Sequence, residues 1–135
     1  MVKRILIIDD EVYFARLVKM NLESGVGFKV EIALKGYEGI KTAAKFRPHL
    51  VLLDLLMPDM NGLQVLEELR KDKKISRTPV IILSAKGDDA TRKEVLGNKV
   101  DLFVTKPISA EGLRERIVKV LKNSRKSRKR SRRRS

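Results

Sequence analysis

Four short aliphatic runs constrain the fold of this chain more than any other feature: residues 5–8, 50–53, 80–83 and 102–104. Runs of this length without polar alternation predict strands covered on both faces, and hence a parallel sheet lying between layers of helix. A fifth segment behaves differently. Phe28, Val30 and Ile32 alternate with Lys29, Glu31 and Ala33, which predicts a half-exposed strand at a sheet edge. Helical spacing fills the gaps. Phe14, Leu17, Val18 and Leu22 fall on one predicted face, as do Leu63, Leu66 and Leu69, and then Leu113, Ile117, Val120 and Leu121. Segment 36–46 is a shorter helix candidate. Segment 88–96 offers only the thin stripe of Ala90, Val95 and Leu96. Gly25 and Gly27 punctuate the end of the first helix. Ser109 is placed to cap the last one, with Glu111 favourable in its first turn.

Five strand–helix units imply a doubly wound α/β fold: a five-stranded parallel sheet with helices on both faces. With the second strand at an edge, the flavodoxin-like order 2-1-3-4-5 fits, and the chemistry then belongs at the carboxyl ends of the strands.

Composition removes several classes. The 135 residues suffice for one ordinary domain. There is no cysteine, which excludes disulfide frameworks, thiolate metal sites and cysteine nucleophiles. No apolar run approaches the roughly 20 residues that span a bilayer. The N-terminal apolar stretch stops at Asp9-Asp10-Glu11, too soon for a signal core. A cytoplasmic protein is the expectation. The net charge of +14 is unevenly placed: residues 1–121 carry +5, and residues 122–135 carry +9 with no acid at all.

The predicted strand ends carry the chemistry. The first strand ends in Asp9-Asp10, the third in Asp54 and the fourth in Ser84, while Lys106-Pro107 follows the fifth. Three carboxylates at one edge repel each other and call for a counter-charge. A hard divalent cation with oxygen ligands supplies one, and Mg²⁺ suits carboxylates plus water. Lys106 adds a positive charge and Ser84 a hydroxyl donor. A carboxylate flanked by metal, ammonium and hydroxyl is arranged to attack phosphorus, and the same groups can then stabilise the phosphoryl oxygens.

Taken together, Ile7-Ile8-Asp9-Asp10-Glu11, the stretch from Asp54 through Met57-Pro58 to Asn61-Gly62, Ser84-Ala85 and Lys106-Pro107 resemble the receiver domain of two-component response regulators, over about residues 1–121. The resemblance implies a single-domain switch like the chemotaxis response regulators. It implies Asp54 as phosphoacceptor, and a metal (Mg²⁺, with Mn²⁺ as a substitute) held by Asp9, Asp10, Asp54 and the backbone carbonyl of Leu56. It implies Ser84 as a hydroxyl that moves toward the phosphoryl group, with Lys106 beside it. Phe103 matches the family's aromatic rotamer switch, and a core aromatic remains its alternative. The implied donor is a phosphohistidine on a sensor histidine kinase or a histidine phosphotransfer protein. The output is a protein contact, reshaped across segment 88–96 and the fifth strand, to an effector the sequence does not name. The implied protein is a switch rather than an enzyme, promoting only its own phosphorylation and dephosphorylation. Where many relatives carry Gly-Ala-Asp-Asp before the fifth strand, this chain has Lys99-Val100-Asp101-Leu102.

Simpler roles exist for each residue taken alone. Asp9 and Asp10 could end a strand in a turn, Asp54 could cap a helix, and Lys106 could be a surface lysine. His49 reads as structural or solvated, and Arg70, Lys71, Lys73, Lys74 and Arg77 as a solvated loop. A small phosphatase with an aspartyl nucleophile would want an acid–base aspartate where Leu56 stands. Nucleotide and flavin binders are disfavoured because no glycine-rich loop follows the first strand. No output domain is expected after residue 121. The basic stretch 122–135 lacks aliphatic and aromatic residues and is expected to be disordered. Lys122, Arg125, Lys126, Arg128, Lys129, Arg130, Arg132, Arg133 and Arg134 make it a candidate for non-specific contact with nucleic acid or an anionic membrane. A phosphorylation-modulated binder of such surfaces is the alternative function, and a solubilising tail or cloning remnant the plain one.

Overall fold

The computed structural model describes residues 2–85, 93, 94 and 96–134, with side chains through Ser124 apart from that of Asn98. Its sheet has the order β2-β1-β3-β4-β5, built from β1 (Lys3–Ile8), β2 (Phe28–Ala33), β3 (Leu50–Asp54), β4 (Val80–Ala85) and β5 (Leu102–Lys106). Every strand pair is parallel, as the continuous apolar runs predict. β2 lies at an edge, as its alternating pattern predicts. The helices are α1 (Val12–Glu23), α2 (Gly36–Phe46), α3 (Gly62–Lys71) and α4 (Ala110–Arg134). A short 3₁₀ turn spans Gly97–Lys99. Ala90 and Val95 of the weak helical segment lie outside the described residues; Leu96 is buried.

Because successive strand residues point to opposite faces, the sheet divides the core in two. On one side Leu6, Ile8, Leu53 and Ile82 meet α2 and α3 through Ala43, Val65, Leu66 and Leu69. On the other, Ile5, Ile7, Leu52 and Ile81 meet α1 and α4 through Ala15, Val18, Leu113 and Ile117. Close approach depends on two glycines. A Cβ at Gly39 would lie 2.5 Å from the Ile8 side chain, and one at Gly62 would lie 2.9 Å from the Leu55 backbone.

Three sequence expectations are corrected. Leu17 does not face the core: it is exposed, and the buried face of α1 runs through Ala15, Val18 and Leu22. Arg70 is not solvated. Its guanidinium donates to the carbonyls of Ser76, Thr78 and Lys99 at 3.0, 2.7 and 2.8 Å, tying the end of α3 to the segments that enter β4 and β5. The last helix does not stop near Leu121 but continues to Arg134. Its first turns are nucleated against the core, with Ser109 Oγ accepting from Gly112 N–H at 3.0 Å. Beyond them Lys and Arg are good helix formers and no glycine or proline interrupts. The side chains of Arg125, Lys126, Arg128, Lys129, Arg130, Arg132, Arg133 and Arg134 lie outside the described residues. His49 is structural: Nδ1 accepts the Arg4 backbone N–H at 2.9 Å, and the His49 N–H donates to Arg4 O at 2.7 Å.

Candidate functional site

The strand order places the carboxyl ends of β1, β3, β4 and β5 side by side. Asp9 follows β1, Asp54 ends β3, Ser84 lies at the end of β4, and Lys106 ends β5. Asp9, Asp54 and Ser84 are all buried. The Lys106 side chain is only 12% exposed. Its ammonium lies 2.8 Å from Asp9 Oδ2, 3.2 Å from Glu11 Oε1 and 3.9 Å from Asp54 Oδ2. Asp9 Oδ1 accepts the Glu11 N–H at 2.9 Å, so both of its oxygens are engaged. Asp54 Oδ1 accepts the Leu56 N–H at 3.3 Å.

The acidic pair predicted from the sequence does converge on Asp54. One carboxylate oxygen from each of Asp9, Asp10 and Asp54 lies within 4.8 Å of the others. Burial first, and the negative charge of Asp9 second, push the Asp54 carboxyl up to about 7, against the opposing pull of the Lys106 charge and the Leu56 N–H. Burial alone would lower Lys106, but the hydrogen bond and charge of Asp9, with the charge of Asp54 and the contact to Glu11, hold it above its ordinary value. The pocket thus keeps more negative charge than one ammonium offsets. An all-oxygen donor set with uncompensated charge fits a hard divalent cation.

The loop after β3 is fixed from both ends. Leu56 bridges to Asn61, and Gly62 N–H donates to Leu55 O at 2.8 Å. Asn61 and Gln64 cap α3 reciprocally, with contacts of 2.9 and 3.1 Å. The Asp59 carboxylate accepts the Gly36 and Tyr37 N–H groups, both at 3.0 Å, joining the loop to the start of α2. These bonds, the Tyr37 contact foremost, hold Asp59 below the usual carboxylate range. Sequence reasoning missed this tie and missed Glu11 and Phe14 as neighbours of Lys106. The Asp59 contacts join residues more than 20 positions apart, beyond what spacing along a helix or strand can show. Phe103 is half-buried on β5 and packs against the α2–α3 side of the core. Lys93 lies over its ring, 5.8 Å from the centroid. The departing segment before β5 has its own role: Asp101 accepts the Val80 N–H at 2.9 Å.

A parallel sheet of this order, with three carboxylates, a lysine and a buried serine at its strand ends, defines a phosphoacceptor switch domain. The response regulator receiver domain family matches residues 5–118, and the chain belongs to that family, the phosphoacceptor signalling modules of two-component systems. The DNA-binding dual master transcriptional regulator RpaA of Synechocystis is 34% identical over 90% of this chain and 50% of its own length. The transcriptional regulatory protein SrrA of Staphylococcus aureus is 36% identical over 92% of this chain and 50% of its own. The chain thus spans about half the length of these curated relatives. Among solved structures, a CheY-like receiver domain protein from Methanospirillum hungatei superposes with a TM-score of 0.83 at 29% identity, covering 94% of this chain and 99% of that one. Among the described residues no helix is long and apolar enough to cross a membrane.

Proposed function

We propose that Asp54 accepts a phosphoryl group from a phosphohistidine on a sensor kinase or histidine phosphotransfer protein. The convergence of Asp9, Asp10 and Asp54 on one pocket, with Lys106 inside it, carries this reading. Asp9, Asp10, Asp54 and the Leu56 carbonyl would hold Mg²⁺, or Mn²⁺ in its place. A bound divalent cation would supply the positive charge that favours ionised Asp54 and receives phosphoryl oxygens.

In the transfer an Asp54 carboxylate oxygen forms the new P–O bond. The P–N bond breaks, and the imidazole nitrogen leaves with that electron pair. The Lys106 ammonium, 3.9 Å from Asp54 Oδ2, pairs with the arriving phosphoryl oxygens. The Ser84 hydroxyl donates to another of them, and Phe103 turns inward as Ser84 moves. A partner that binds one of the two states more tightly then reads the change. No activity toward another substrate is assigned to the site, and the signal leaves through protein contact.

The rival reading, polyanion binding through Lys122 and the basic residues beyond it, is secondary: the family match ends before that segment. It adds to the switch without replacing it.

Acetyl phosphate with Mg²⁺ should add one phosphoryl group, read by intact mass, and Asp54→Asn should abolish the addition. Undiminished labelling of that variant would move the acceptor elsewhere. Undiminished labelling of the parent in excess EDTA would remove the metal from the mechanism.

A further inference from the structure

Of the three ion pairs of the Lys106 ammonium among the described residues, the one to the phosphoacceptor is the longest. The ammonium is drawn toward α1, with Asp9 at 2.8 Å and Glu11 at 3.2 Å, while Asp54 stands at 3.9 Å. On the same side lies the face of the Phe14 ring, whose centroid is 4.7 Å from Nζ. A cation over an aromatic face within about 6 Å is attracted by the ring quadrupole, more strongly where water is excluded. The Lys106 side chain is 12% exposed, so water competes poorly for it. Phe14 is half-buried and packs against the α1–α4 side of the core, which fixes the ring in place.

We propose that Phe14, with Glu11, forms a resting seat for Lys106: Phe14 is a positioning residue that holds the ammonium aside from Asp54 until a phosphoryl group arrives. This rests on Asp54 being the phosphoacceptor. Glu11 is more exposed than the ring, 60% against a half-buried Phe14, so the ring supplies the fixed wall and the carboxylate the adjustable one. Lys106 must leave both to follow a phosphoryl group on Asp54. Contacts present before transfer and absent after it stabilise only the starting state and slow the reaction. The seat is therefore a brake on phosphorylation.

The test uses the full chain without metal or phosphodonor first. Protons above an aromatic face are shielded, so the ε-methylene protons of Lys106 should resonate upfield of those of the other lysines, with Lys106→Arg assigning the signal. Phe14→Leu should return them to the ordinary position, and Phe14→Tyr, which keeps the π face, should preserve the shift. With acetyl phosphate and Mg²⁺, Phe14→Leu should then label about five-fold faster than the parent, the order expected for one partly desolvated cation–π contact. Phe14→Tyr should label at the parental rate. A merely structural role for the ring would slow labelling or leave it unchanged. Glu11→Gln removes the exposed half of the seat without touching the core, and should also label faster, so a poorly folded Phe14→Leu does not end the test.

An unshifted Lys106 methylene in the parent would overturn the seat. So would a shift whose loss leaves labelling at or below the parental rate in every variant. A parent that takes no label at all would count against the phosphoacceptor reading, while the methylene shift would still decide the seat.

Discussion

Asp54 holds a carboxyl group where a carboxylate is costly. Burial first and Asp9 second push it up to about 7, against the opposing pull of Lys106 and the Leu56 N–H. An unfolded aspartate titrates near ~3.9, so the folded protein binds this proton more tightly than the unfolded chain does. The stability this confers is fully present below about pH 4 and is lost as pH rises through about 7. Each tenfold difference in proton affinity corresponds to about 1.4 kcal/mol, so the penalty above pH 8 is on the order of a few kcal/mol. In EDTA, Asp54→Asn should therefore resist urea better than the parent at pH 8, and the advantage should shrink toward pH 5. Equal midpoints at pH 8 would mean that Lys106 already neutralises the pocket. The residues that set this balance were legible to different degrees. Asp9, Asp10, Asp54, Ser84 and Lys106 could be found because each ends, or follows, an apolar run that predicts a buried strand. Glu11 and Phe14 could not: Phe14 reads as one more apolar position of α1, and only the fold shows Lys106 lying over its ring.

At the scale of elements, β2 is one of the two edge strands of the sheet. Gly27 and Ala33 direct their carbonyls to β1, and backbone groups alternate in direction along a parallel strand. Val30, in register with Ile5, therefore points its N–H and C=O away from the sheet. Two residues of α1 close that gap. Glu23 Oε2 accepts the Val30 N–H at 2.8 Å, and Lys19 Nζ donates to Val30 O at 2.8 Å. The two side chains also pair with each other at 3.6 Å. Occupying edge groups in this way is a recognised defence against strand-to-strand association. Glu23→Ala should destabilise the protein by about 1–2 kcal/mol through the orphaned N–H, measured by urea unfolding, and should raise the apparent mass in concentration-dependent light scattering. Glu38→Ala, at an exposed position of α2, should stay within about 0.5 kcal/mol. If both variants behave alike, the Glu23 contact carries no weight. The alternation of Phe28, Val30 and Ile32 announced an edge strand. It could not announce what covers the edge, because that depends on how α1 crosses back over β2. Helical spacing put Leu17 on the inner face with Phe14, Val18 and Leu22, but in the fold Leu17 is exposed and Ala15 is buried in its stead.

At the scale of the whole molecule, charge and fold are separated. Residues 1–121 carry a net +5 and residues 122–135 a net +9, yet α4 joins the two without a break. Four aliphatic runs, one alternating segment and the helical stripes between them made the sheet order readable. The course of the basic segment was not readable, because composition predicts whether a segment can bury a core and says little about a helix extended from one already packed. Like charges three and four residues apart destabilise a helix by a few tenths of a kcal/mol per pair, and salt screens them. Helicity of the intact chain, followed by far-UV circular dichroism, should therefore rise between low and moderate salt. Duplex DNA supplies dense negative charge and should raise it further at low salt. The segment has no aromatic side chain to stack on bases, so the contact should be made through phosphates alone, and scrambled duplexes should bind equally. If about six phosphates are neutralised, log affinity should fall with log salt at a slope of about −5. Anionic vesicles should compete, since a basic segment without apolar residues reads charge rather than chemistry. Replacing Arg132, Arg133 and Arg134 together with Gln should flatten the slope by about two to three units and leave phosphorylation at Asp54 untouched. Salt-insensitive binding, or an unchanged slope in that variant, would move the contact off the helix and onto the folded domain.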